Sequence, residues 1–121
     1  PLDYDAVNPY TFAEPTSPHI VSADERRPIE ASVLSAGLRT LEAQADWVLV
    51  EGAGGWFTPL SQTLTFADWV REERLPVILV VGVKLVCINH AMLTAQAFNI
   101  LSRSCRNDAV VGADFSVVPG P

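Results

Sequence analysis

Two runs in this chain are apolar on both faces, Trp47 to Val50 and Val77-Ile78-Leu79-Val80-Val81. Short apolar runs without alternation are typical of strands in a parallel sheet that helices cover on both sides. Around them the spacing turns helical. Ser17-Pro18 offers an N-cap followed by proline at the first helical position and predicts a short helix over roughly Pro18 to Glu25. A second helix is predicted from Pro28 to about Ala43, with Ile29, Val33, Ala36, Leu38 and Leu41 on its apolar side and Glu30, Arg39 and Glu42 toward water. Thr65 can cap a third through about Glu73, with Asp68 placed for a capping box and Phe66, Trp69 and Val70 on one side. Leu75-Pro76 stops that helix, and a fourth runs roughly from Ile88 to Leu101. Pro1 to Pro15 reads as loop, because Asn8-Pro9 and Glu14-Pro15 disfavour helix before each proline. Helix and strand alternating in this rhythm predict an α/β fold, part of a doubly wound parallel sheet with right-handed crossovers.

Composition narrows the partners. With 121 residues, one domain or part of one is expected. The formal net charge of −6 disfavours a nucleic-acid or anionic-membrane partner. No apolar run approaches the ~18 residues needed to span a bilayer, and no signal segment opens the chain. Cys87 and Cys105 fit no zinc or redox spacing, so reduced thiols and a cytoplasmic setting are expected.

Candidate chemistry begins where the first apolar run ends. Glu51 stands at the carboxyl end of the predicted strand, where ligands sit in open α/β sheets. Gly52, Gly54 and Gly55 follow, with Ala53 between them, and let the backbone approach a bulky anion closely. An acid beside a glycine loop suits Mg²⁺ held against nucleotide phosphates, since that ion prefers one or two carboxylates plus phosphate oxygens. The plain alternative is a tight strand-to-loop turn with an exposed glutamate.

The second candidate is Val83-Lys84-Leu85-Val86-Cys87-Ile88-Asn89-His90, where a predicted strand end leads into a helix start and offers backbone N–H groups to an anion. Asn89 reads equally well as a helix-start cap. His19 and His90 read as surface or packing residues, having no nucleophile partner nearby in sequence. Trp47 and Trp69 fit core positions, Trp56 lies inside the glycine loop, and Arg71 to Arg74 read as a solvated helix end.

The words VLVEGAGGWFTPL (residues 48–60), with VNPYTFAEPTSPH upstream and LPVILVVGVKLVCINHAMLTAQA downstream, closely resemble the dethiobiotin synthetase family of biotin synthesis. The resemblance runs from about Tyr4 to Ala97, which makes 1–97 part of a single P-loop-ATPase-like domain and 98–121 a divergent tail. It implies a sheet of the P-loop NTPase type. No G-x-x-x-x-G-K-[ST] occurs in these residues, so the family's phosphate loop, its other metal ligands and its carbamate-contacting lysine are expected upstream of Pro1. The chain is therefore expected to be an internal piece, inactive alone.

The implied reaction joins 7,8-diaminopelargonic acid, CO₂ and ATP with Mg²⁺: a carbamate is phosphorylated and the second amine closes a cyclic urea. Glu51 matches the family's metal and ATP ligand, and Gly52, Ala53 and Gly54 match the loop beside the nucleotide. Val86, Cys87, Ile88 and Asn89 match the corner that meets the substrate's distal carboxylate across a homodimer interface. Glycine is usual in the family at position 86, and a valine does not readily take positive φ. The adenine-reading asparagine has no aligned counterpart, and Asn107-Asp108 lies out of register. Two other readings stay open: a related P-loop ATPase with another reaction, or a non-catalytic piece that packs or dimerises.

Overall fold

The computed structural model describes residues 2–52 and 54–102, with side chains through Ala97. Ala53, Cys105, Asn107 and the tail beyond Ser102 lie outside the described residues. The chain divides into two compact units, Pro1–Glu73 and Arg74–Pro121.

The first unit is built on four helices: α1 (Tyr4–Val7), α2 (Pro18–Asp24), α3 (Ala31–Glu42) and α4 (Phe66–Glu72). The single turn α1 departs from the loop expected there. Asp3 explains it, its carboxylate accepting the Tyr4 N–H at 2.8 Å as an N-cap, with Asp5 in the first turn beside the positive helix end. Ser17 does precede α2, but its hydroxyl pairs with His19 Nδ1 at 2.9 Å and makes no cap hydrogen bond. That helix ends with the Arg27 N–H on Ser22 O and the Arg26 N–H on Ala23 O, the pairing of a Schellman stop, which leaves Arg26 at φ +53° where glycine is usual.

The helix α3 starts three residues later than expected, leaving Pro28 to Glu30 outside the helix. Its inward face is also rotated: Leu38 is buried and Ala31, Leu34, Ser35 and Leu41 are half-buried, while Val33 and Ala36 face solvent. The set 31, 34, 35, 38 and 41 is the better 3.6-residue stripe once the helix starts at Ala31. The core gathers Val21, Ile29, Leu38, Leu60, Ala67, Trp69 and Val70. Each large side chain among them contributes about 1.5–3 kcal/mol by leaving water.

Helix α4 forms as the residues dictate. Thr65 accepts the Asp68 N–H at 3.2 Å, and Asp68 Oδ2 accepts the Thr65 N–H at 2.9 Å, so both halves of the capping box are present. At its far end Arg71, Glu72 and Arg74 are exposed, as expected of a solvated run, and Glu73 alone departs from it. The Glu73 side chain is only 9% exposed and accepts hydrogen bonds from Ser35 and Arg39 of α3. Ser35 in turn accepts the Trp69 Nε1–H at 3.1 Å, so the buried indole keeps a partner.

Neither apolar run forms a strand among the described residues, where the only bridge is an isolated antiparallel one, Pro59 to Thr65. Trp47, expected in the core, is 93% exposed, and Leu49 is 85% exposed. Parallel strands acquire backbone partners only from adjacent strands, and the described residues supply none. In the second unit Val77, Leu79 and Val81 are half-buried while Ile78 and Val80 are exposed, the two-faced pattern of an extended chain. That unit continues into α5 (Cys87–Ser102), one residue longer at each end than the spacing predicts.

Candidate functional site

Glu51 follows the first apolar run as an exposed carboxylate with no ion pair or side-chain hydrogen bond among the described residues. Of the glycines after it, Gly52 lies against Phe66, the first residue of α4. A Cβ on Gly52 would lie 2.6 Å from Cε1 and 2.9 Å from Cζ of Phe66, so the ring lies where any larger residue would put its side chain. Gly54 takes φ +84°, and its missing Cβ would fall 2.6 Å from Thr58 Oγ1. That hydroxyl accepts the Gly55 N–H at 2.7 Å, and the Thr58 N–H returns to Gly55 O at 3.0 Å. Gly52 is thus accounted for by the Phe66 ring, and Gly54 by its positive φ and the Thr58 side chain.

The loop also closes the start of α4. Phe66 N–H donates to Thr58 O at 2.9 Å and Ala67 N–H to Trp56 O at 3.1 Å, while Asp68 and Trp69 N–H groups go to Thr65. These donors are spent on the protein, so α4 presents no N-terminal anion site. Asp68 is held below the usual carboxylate range, first by the Thr65 hydroxyl and then by the Thr65 backbone N–H, with Arg71 adding attraction.

Mg²⁺ fits Glu51 by the chemistry of its donor: an accessible hard oxygen, uncommitted to any protein cation, beside backbone that can lie close to phosphates. Among the described residues no three His, Cys, Asp or Glu side chains converge to hold a metal. Glu51 would thus be one oxygen ligand in a shell completed by water and phosphate.

The second corner lies in the other unit. Val86 takes φ +75°, so the valine adopts the left-handed conformation that the residue type argues against. Its carbonyl accepts the His90 N–H at 3.2 Å, and Cys87 N–H donates to Lys84 O at 3.0 Å, which fixes the start of α5. Ile88 and Asn89 are exposed and Cys87 is a half-buried free thiol. Asn89 sits inside the first turn and is not the helix cap. A concavity of about 230 Å³ opens beside this corner, lined by Leu79, Val81, Lys84, Cys87, His90 and Thr94. Lys84 and His90, both within the second candidate segment, bring polar character to it, and His90, read as a surface or packing residue, lines the concavity.

Residues 1–119 match the model of the AAA domain family. The ATP-dependent dethiobiotin synthetase BioD 1 of Salmonella typhimurium is 84% identical over 97 residues, 80% of this chain and 42% of that protein. The Escherichia coli K12 protein of the same name is 83% identical over 95 residues, again 42% of its length. The ATP-dependent dethiobiotin synthetase BioD of Serratia marcescens is 81% identical over 96 residues, 79% of this chain and 42% of that relative. The chain thus spans about two-fifths of the curated relatives it matches.

Proposed function

This chain belongs to the AAA domain family, and from that premise we propose that it is an internal segment of an ATP-dependent dethiobiotin synthetase. The observation that carries the reading is the Glu51–Gly54 loop, an uncommitted carboxylate followed by glycines whose Cβ space is taken by Phe66 and Thr58. Identities above 80% over 95 to 97 residues with proteins of that name support it.

In this reading the full-length protein converts 7,8-diaminopelargonic acid, CO₂ and ATP to dethiobiotin. The segment supplies position and charge, which is most of what phosphoryl transfer asks of a protein. When bound, Mg²⁺ neutralises phosphate charge. Glu51 contributes one oxygen to it, and Gly52, Ala53 and Gly54 let the backbone lie beside the nucleotide. The Val86–Asn89 corner turns first-turn N–H groups of α5 toward the distal carboxylate of the diamine, with Lys84 adding positive charge. A homodimer and a cytoplasmic setting belong to the same proposal. Among the described residues no helix is long and apolar enough to cross a membrane.

The test is Glu51→Gln in the full-length protein. Turnover is expected to fall on the order of 10²-fold or more, by analogy with removal of one well-placed electrostatic stabiliser, while the melting temperature holds because an exposed side chain leaves no cavity. The 121-residue chain, having no phosphate loop of its own, should show no ATP turnover above a Glu51→Ala control. A Glu51→Gln enzyme with a near-native rate would sink the reading.

A further inference from the structure

We propose that Thr58 and Phe66 are positioning residues that set the direction in which the Glu51 carboxylate leaves the backbone at the end of the first apolar run. The inference rests on the metal-binding reading of Glu51 and adds the residues through which the fold would control it. Three contacts carry it. The Phe66 ring lies so close to Gly52 that a Cβ there would stand 2.6 Å from Cε1, which walls one side of the peptide following Glu51. Thr58 Oγ1 accepts the Gly55 N–H at 2.7 Å and lies 2.6 Å from where a Gly54 Cβ would project, which pins the loop's far end. Both residues are anchored to α4, because Phe66 N–H donates to Thr58 O at 2.9 Å and the Thr65–Asp68 capping box fixes the next turn. Neither side chain needs to touch metal or nucleotide. The Glu51 carboxylate is exposed and has no partner among the described residues, so the neighbours of the two glycines are the restraint on its aim that these contacts supply.

The experiment uses the full-length protein and two binding readouts in addition to turnover. Thr58→Val keeps the shape and removes the acceptor, Thr58→Ser keeps the acceptor, and Phe66→Leu keeps apolar bulk and removes the flat wall. Mn²⁺ binding in the presence of ATP is followed by electron paramagnetic resonance well below each variant's melting midpoint, and Gly55 amide exchange reports the loop. Thr58→Val and Phe66→Leu are expected to weaken Mn²⁺ binding about 3- to 10-fold, the range that corresponds to one hydrogen bond or packing contact. Thr58→Ser should bind within about twofold of the parent, as expected when the hydrogen bond is kept, and Thr58→Val alone should lose Gly55 amide protection. Mn²⁺ affinity unchanged in both Thr58→Val and Phe66→Leu, whatever happens to their melting temperatures, overturns the proposal. Should Thr58→Val not fold, Phe66→Leu decides the question by the same criterion. Glu51→Gln separates the two levels: if it weakens Mn²⁺ binding while Thr58→Val and Phe66→Leu do not, positioning fails and the metal reading stands. If Glu51→Gln binds Mn²⁺ as the parent does, the metal reading itself fails.

Discussion

A valine at φ +75° holds a backbone conformation that costs on the order of 1–3 kcal/mol for a β-branched residue. Val86→Gly removes that cost, and the looser unfolded chain takes back about 0.4–1 kcal/mol. The net expectation for the full-length protein is a gain of roughly 1 kcal/mol, seen as a higher urea midpoint at unchanged slope. Under the proposed function, diamine affinity should tighten as well. The backbone already turns as a glycine would, so the two γ-methyls are what remain to crowd a carboxylate. A midpoint at or below the parent's would mean that the surrounding chain holds Val86 without strain. Arg26 at φ +53° and Arg74 at φ +55° show the same substitution of a side chain where glycine is usual, each just past a helix end.

At the scale of elements, Asp68 ties stability to pH. Its carboxylate is favoured in the folded chain by the Thr65 hydroxyl, so its folded pKa lies below its unfolded one. A group depressed in this way lends stability above its unfolded pKa, near ~4, and withdraws it as pH falls through the folded value. Asp68→Asn should therefore narrow the stability difference between pH 7 and pH 3 relative to the parent, measured by urea midpoints at each pH. Equal pH dependence in the two proteins would remove the capping box from the acid response. This box was legible in the sequence because its signal is local: Thr65, Asp68 and an apolar face at 66, 69 and 70. The glycine loop was legible for the same reason, as glycine, carboxylate and spacing are all visible in one stretch. Glu73 was not. Its neighbours 71 to 74 are all charged, and only the tertiary approach of Ser35 and Arg39 takes its side chain out of water. The inward face of α3 was misread because its stripe depends on where the helix begins, and Pro28 marked a start three residues too early.

For the whole molecule, the described residues leave apolar backbone without partners. Trp47 and Leu49 in the first unit and Ile78 and Val80 in the second are exposed on segments that have no strand partner among the described residues, and each such segment can pair edge to edge with other chains. The 121-residue chain should therefore self-associate in solution, with a scattering mass well above 13.1 kDa. Leu49→Lys with Val80→Lys should bring it toward the monomer, because charge on an edge blocks pairing. A monomeric parent chain at micromolar concentration would contradict this. The sheet type read from those segments was a statement about their neighbours, and a sequence pattern can name a strand's environment without containing it. The clamp between the glycine loop and α4 has the opposite property, and it bears on the order of events during folding. Every contact from Gly52 to Asp68 spans at most sixteen residues, so its closure needs none of the long loops that slow parallel pairing. Pulse-labelled exchange on refolding should find the Gly55 and Phe66 amides protected ahead of the amides of residues 77–81. The clamp between the glycine loop and α4 would then acquire its shape before the segment at residues 77–81 is ordered.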